Sequence, residues 1–178
     1  MKNILVIAGT SHRESINLAL ANHAAAQVEG AKAIALDLND FEMPIYSEDK
    51  EEASGIPQEA KDFLAAIQAA DGIVLSLAEH NGSYSAAFKN VLDWTSRVEQ
   101  KLWSEKPMLL MATSPGGRGG ANVLGAAENY LPHLGARVVA TFSLASFYDN
   151  FSSDTGVKDP VAKGNLTEAL QKLEQALS

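Results

Sequence analysis

Nine residues near the start of the chain, Gly9-Thr-Ser-His-Arg-Glu-Ser-Ile-Asn17, join a glycine and several hydroxyls to one guanidinium and one carboxamide, just before a helical pattern begins. Ser11, Arg13, Ser15 and Asn17 can each donate a hydrogen bond to oxygen. A helix start adds free N–H groups and a partial positive charge. Such a set can cradle a phosphate monoester without a metal. The Lys and the Mg²⁺-binding Ser/Thr of a P-loop are missing, which argues against nucleoside triphosphate hydrolysis. A blander reading stands beside this one: Ser11 and Glu14 also make a capping box. Arg13 favours the anion, because a cation at a helix N-terminus is disfavoured until an anion joins it.

Two further loops carry polar chemistry. Leu77-Ala-Glu-His-Asn-Gly-Ser-Tyr-Ser85 follows an apolar run. Its Asn81-Gly82 pair favours a turn with positive φ. Glu79, Asn81 and Ser83 offer donors and acceptors in a short span, and His80 and Tyr84 offer flat faces. A planar heteroaromatic edged with alternating N–H and C=O groups would suit this loop; a solvated turn capped by Ser83 or Ser85 is the alternative. The third loop, Thr113-Ser-Pro-Gly-Gly-Arg-Gly-Gly120, holds four glycines in five positions. Glycines let a backbone pass close to a ligand. Arg118 stands among them, free either to meet a phosphate or to sit in solvent.

These loops need elements that bring them together. Residues 2–8, 31–38, 72–78, 107–113 and 137–142 are apolar runs rich in Ile, Leu, Val and Met, the mark of parallel strands buried on both faces. Between and after them lie segments of helical period: 16–27, 58–70, 85–98, 124–134 and 166–177, the last with Leu166, Ala169, Leu170, Leu173 and Leu177 on one face. Five β-α alternations predict an α/β, flavodoxin-like three-layer sandwich with a five-stranded parallel sheet in the order 2-1-3-4-5. Residues 1–178 are expected to form one domain. The stretches 39–57 and 143–164 are expected to be irregular. In such a sheet a ligand sits beyond the carboxyl ends of the strands, where the strand order switches between strands one and three. The loops named above leave strands one, three and four.

Composition narrows the function. The chain carries 22 acidic and 14 basic residues, net charge −8. That balance disfavours nucleic acid, whose binding rests on Lys and Arg neutralising phosphates. The chain has no cysteine, which excludes disulfides, thiolate zinc sites and a Cys nucleophile. No apolar run approaches the ~20 residues of a membrane span, and no secretory signal stands at the start, so a cytoplasmic protein away from membranes is expected. Trp94, Leu102 and Trp103 fall partly off the apolar stripe of their helix. Leftover large apolar groups mark interfaces, so a homodimer or homotetramer is expected; the alternative is that both tryptophans complete the core.

Together the loops resemble those of the NADPH-dependent FMN reductase family, flavodoxin-like proteins that include quinone and azo reductases. The first loop resembles the family's G-S-x-R-x-x-S-x-N at Gly9, Ser15 and Asn17, with Thr10 for the first Ser, His12 in the place of the motif's Arg and Arg13 one place after it. Asn81-Gly82-Ser83 and Phe88-Lys-Asn-Val-Leu-Asp-Trp94 match N-G-S-x-x-x-x-L-K-N-x-x-D-W, with Phe88 for Leu; residues 114–120 match its glycine-rich loop. Ala78 and His80 stand where the family usually has Pro and Tyr. The resemblance implies that Ser11, Arg13, Ser15, Ile16 and Asn17 hold the phosphate of FMN. It implies that Glu79, His80, Asn81 and Gly82 edge the isoalloxazine, and that Ser114, Gly116 and Gly117 complete the pocket. The activity implied is electron transfer from NADPH or NADH through FMN to a small-molecule acceptor such as a quinone or a flavin. A flavodoxin-like electron carrier without its own NAD(P)H turnover is the alternative. No catalytic side chain and no metal are expected. The resemblance also implies dimers or tetramers.

Overall fold

Ile73, Val74, Leu75 and Leu77 have no face that meets water. They belong to a strand with a parallel partner on each side and helices above and below. In the computed structural model, which describes residues 1–178, this strand is β3 (Gly72–Leu77). In chain order it follows β1 (Lys2–Ala8), α1 (Ile16–Ala25), β2 (Ala31–Leu36), a 3₁₀ turn (Leu38–Phe41), α2 (Glu48–Ser54) and α3 (Gln58–Ala69). After it come the short strands β4 (Glu79–His80) and β5 (Ser83–Tyr84), α4 (Ala86–Val98), β6 (Pro107–Thr113), and α5 (Ala121–Tyr130) with a trailing 3₁₀ turn (Leu131–Leu134). The chain closes with β7 (Arg137–Leu144), α6 (Phe147–Asn150), β8 (Phe151–Ser152), β9 (Gly156–Val157) and α7 (Pro160–Leu177).

The main sheet runs β2-β1-β3-β6-β7, all parallel. Numbered within that sheet the order is 2-1-3-4-5, the flavodoxin-like order that the alternation predicts. Every residue of β3 and β6 is buried, so the strands carry unbroken apolar runs. β2 lies at the edge and is exposed at Lys32–Ala35. One apolar cluster packs α3, α4 and α5 on one face of the sheet. The other packs α1 and α7 on the opposite face. No helix is long and apolar enough to cross a membrane.

Four expectations need correction. Trp94, Leu102 and Trp103 are not left over: they are 1%, 0% and 0% exposed. The physical reason lies in the stretch after β2. It folds back over α4, so that Trp94 Nε1 donates to the Pro44 carbonyl at 2.7 Å and the Tyr46 ring meets the indole edge-on at 5.0 Å. Trp103 packs edge-on against Phe63 of α3. The two long stretches are not wholly irregular, since they hold the first 3₁₀ turn, α2, α6 and the β8–β9 ribbon. The last helix starts at Pro160 rather than 166, because Asp159 caps it by accepting from Ala162 N at 2.8 Å. β2 stops at Leu36 and β7 runs on to Leu144.

Candidate functional site

Where β1, β3 and β6 end, a cavity of about 210 Å³ opens at the switch in strand order. Its walls come from the loop after β1 (Thr10, His12, Glu14–Asn17), the exit of β3 (Ala78–His80), the exit of β6 (Thr113–Pro115) and Tyr148 of α6. Three loops distant in sequence therefore meet on one hollow.

The first wall is a helix start. Ser15 caps α1, its Oγ accepting from Asn17 N at 3.1 Å. Ser11 and Glu14 do not form the cap. The amides of Ser11, Arg13 and Glu14 donate to no atom of the chain, and Ile16, first in the helix, has no intrahelical acceptor. Asn17 is only 2% exposed. Its Oδ1 accepts from Ser76 Oγ at 2.7 Å and Thr113 N at 3.1 Å, and its Nδ2 donates to the Thr113 carbonyl at 3.3 Å. One carboxamide thus ties the start of α1 to the ends of β3 and β6 and keeps a single N–H to spare.

The second wall is a hairpin. Glu79 pairs with Tyr84 and His80 with Ser83, leaving Asn81-Gly82 as a two-residue turn with φ of 52° and 77°. Positive φ at both positions is the type I′ geometry that Asn-Gly prefers. Glu79 Oε2 accepts from Val123 N at 2.9 Å. It thereby supplies the acceptor that the cap of α5, Gly120, lacks. Burial pushes the Tyr84 phenol up from its ordinary value and keeps it neutral. Ser85 caps α4, accepting from Phe88 N, and its hydroxyl donates to the Gly9 carbonyl at 2.7 Å.

In the third wall the glycines divide. A Cβ on Gly119 (φ +56°) would strike Ser143 Oγ and the backbone of Leu144–Ala145, so this glycine serves the packing of the loop on β7. A Cβ on Gly117 would meet nothing, and one on Gly116 would reach only Ser114 Oγ at 4.0 Å. Arg118 donates to Asn122 Oδ1 at 2.8 Å. The loop is held from below, with Ser146 N donating to the Gly116 carbonyl and Phe147 N to the Ser114 carbonyl.

Of the residues singled out from sequence, Ser15, Ile16, Asn17, Glu79, His80 and Ser114 line this cavity. Asn81 and Gly82 form the tip of the hairpin, and Gly116 and Gly117 lie along the rim loop. Ser11 faces a neighbouring cavity of about 260 Å³ between the stretch after β2 and α4. Arg13 also lies off the cavity. Its Nε donates to Asp37 Oδ2 at 3.2 Å, with 72% of its side chain exposed. The anion beside Arg13 in the folded chain is thus a carboxylate of the chain itself. Sequence reasoning did not assign Thr10, His12, Glu14, Ala78, Thr113 and Pro115, neighbours of the motif residues, or Tyr148, which lies in a stretch without periodicity.

The chain is similar to known proteins in sequence and in fold. The model of the NADPH-dependent FMN reductase family matches residues 2–149. The 2-hydroxy-1,4-benzoquinone reductase of a Burkholderia species is 37% identical over 120 residues, 66% of this chain and 63% of that protein. The NADPH azoreductase of Bacillus sp. (strain OY1-2) is 35% identical over 121 residues, 68% and 64% of the two chains. The match thus spans a little under two thirds of each relative's length. Among solved structures, the NAD(P)H:(acceptor) oxidoreductase FerB from Paracoccus denitrificans superposes with a TM-score of 0.74 at 24% identity, covering 99% of both chains, and shares the fold. With the motifs, the strand order and a family match over most of its length, this chain belongs to the NADPH-dependent FMN reductase family.

Proposed function

We propose that this protein is an FMN-dependent NAD(P)H oxidoreductase that passes two electrons from NADPH or NADH to a small acceptor, a quinone, a flavin or an azo compound. The observation that carries the reading is the meeting of a helix start bearing free amides with the exits of β3 and β6 on one cavity. The residues present suit FMN. Free N–H groups of Glu14 and Ile16 and the hydroxyls of Thr10 and Ser15 stand at the helix start, where a phosphate monoester needs donors, although the Glu14 carboxylate shares that wall. A hairpin edge and an open glycine rim stand at the other, where a flat ring needs close backbone.

On this reading the amides of Glu14 and Ile16 and the hydroxyl of Ser15, which line the cavity, bind the phosphate, and Ser11 and the Arg13 guanidinium, off the cavity wall, meet it from the outer side of the loop. Asn17 contributes its one spare N–H and chiefly holds the three strand ends in register. Glu79 and His80 edge the ring, with Asn81 and Gly82 fixing the hairpin that presents them. Ser114, Gly116 and Gly117 close the other side. When bound, FMN supplies the chemistry, accepting a hydride from the nicotinamide and returning two electrons to the acceptor. The chain binds, orients and shields, and no side chain is assigned a proton transfer. Residues 1–178 serve as one FMN-binding domain in the cytoplasm, where NAD(P)H is available, and assemble as a homodimer or homotetramer; the family likeness now carries that last point, since the tryptophans do not.

Absorption spectra of the purified protein before and after NAD(P)H, followed by addition of a quinone, test the activity. A flavin spectrum that bleaches and recovers is expected. A bound flavin that NAD(P)H leaves oxidised would make the protein an electron carrier. Titration with FMN and with riboflavin tests the phosphate end: FMN should bind more tightly, and equal affinities would remove the cradle.

A further inference from the structure

The segment Thr10–Glu14 is the tip of the loop after β1, and it is almost untethered. Within it His12 N donates to Thr10 Oγ1, Thr10 N to the Ala8 carbonyl, and Ser15 N to the His12 carbonyl. Only two hydrogen bonds link this tip to a distant part of the chain, and both go to the turn after β2. Asn39 Nδ2 donates to the Ser11 carbonyl at 2.8 Å, and Arg13 Nε donates to Asp37 Oδ2 at 3.2 Å. The turn itself is stiff. Asp37 Oδ1 accepts from Asn39 N at 2.9 Å and from Asn39 Nδ2 at 2.6 Å, and Asp37 caps the 3₁₀ turn that follows. Those bonds from Asn39, with the Arg13 guanidinium behind them, hold the Asp37 carboxyl below its ordinary value, so it is ionised throughout the neutral range.

We propose that Asp37 and Asn39 are positioning residues for the cofactor phosphate, a clamp on the outside of the loop that fixes Arg13 and Ser11 in place for it. The proposal rests on the reading of this loop as the phosphate cradle. A guanidinium bonded through Nε keeps both Nη groups for a second anion. Arg13 lies off the cavity, but with both Nη groups free it can meet a phosphate from the outer side of the loop without leaving Asp37, and the carboxylate orients it. A competing effect exists, because Asp37 is itself an anion and repels a phosphate. That repulsion acts between water-exposed groups and is screened. Immobilising a long side chain in advance is worth up to about tenfold in affinity.

The test uses the full chain freed of flavin, titrated separately with FMN and riboflavin. Asp37→Ala should weaken FMN about threefold to tenfold and leave riboflavin unchanged. In an Arg13→Ala background the same substitution should cost less, only the part that runs through Asn39 to Ser11, since residues acting through one contact are not additive. Asn39→Ala, which keeps the carboxylate but frees Ser11, should show the same FMN-selective loss. The clamp is overturned if Asp37→Ala leaves FMN affinity unchanged or tightens it, if either variant weakens both flavins equally, or if the Asp37→Ala loss is undiminished without Arg13. A wild-type chain with no preference for FMN over riboflavin would instead bring down the cradle, and the clamp with it.

Discussion

Replacing Arg13 by Ala separates cofactor binding from folding at a single position. A hydrogen bond to a charged group is worth ~1.5–3 kcal/mol, so FMN affinity should fall about 10- to 100-fold, while riboflavin affinity holds. Folding should hardly notice. The pair with Asp37 is mostly solvent-exposed, and exposed pairs contribute about 0–1 kcal/mol. Thermal melting of the flavin-free variant beside flavin titration checks both halves. A large loss of stability with intact FMN affinity would make Arg13 structural. Of this loop's residues, Ser15, Ile16 and Asn17 were legible as lining the cavity, because hydroxyls and Asn before a helical period point to a polar helix start, whereas Ser11 and Arg13 lie off it. The division of labour was not legible. Asn17 reads as a donor, yet its carboxamide is spent on Ser76 and Thr113, 59 and 96 residues away, and no local pattern encodes such partners. Arg13 likewise finds Asp37 across two elements.

Among the elements, the short ones around the site carry the least sequence signal. β3 and β6 announce themselves because both faces are buried, and the Asn-Gly hairpin does so because only such residues accept its turn. α6 and the β8–β9 ribbon have no period to show. Their order comes from packing: Phe147 stacks on Phe151 at 4.7 Å, and Phe151 meets His23 of α1 edge-on at 5.4 Å. The imidazole also lies where a Cβ on Gly156 would be, so it fills the hollow of the ribbon. Burial, helped by the Lys163 ammonium, holds His23 below its ordinary 6.5. The unfolded chain therefore takes up this proton at higher pH than the folded one. Stability is complete above about pH 6.5 and is lost as pH falls from there towards the folded value. The melting temperature should drop between pH 7 and 5, and His23→Gln should flatten that part of the profile. An unchanged slope in the variant would place the acid sensitivity elsewhere.

For the molecule as a whole, the tryptophans now argue for folding rather than assembly. Trp103→Ala should cost about 3–5 kcal/mol in urea unfolding and leave the assembly as it was. Light scattering at micromolar concentration should give a multiple of the 18.9 kDa chain mass. A mass near one chain would refute the assembly, and dissociation on losing Trp103 would return that residue to an interface. The sheet order was legible because alternating runs leave few topologies; the fold-back of residues after β2 onto α4 was not, because it depends on Pro44, Tyr46 and Trp94 meeting across the chain. Asn17 has a consequence in time as well as in space. Its bonds close the longest loops of the site, and closing long loops costs more chain entropy than forming local contacts. A transition state built on neighbouring β-α units would not yet hold them. Asn17→Ala should therefore leave the refolding rate of the flavin-free protein nearly unchanged. It should raise the unfolding rate about fivefold to 150-fold, the kinetic share of ~1–3 kcal/mol of buried hydrogen bonding. Stopped-flow arms in urea would show it: the seam that joins three strand ends then acts as the last knot tied and the first to slip.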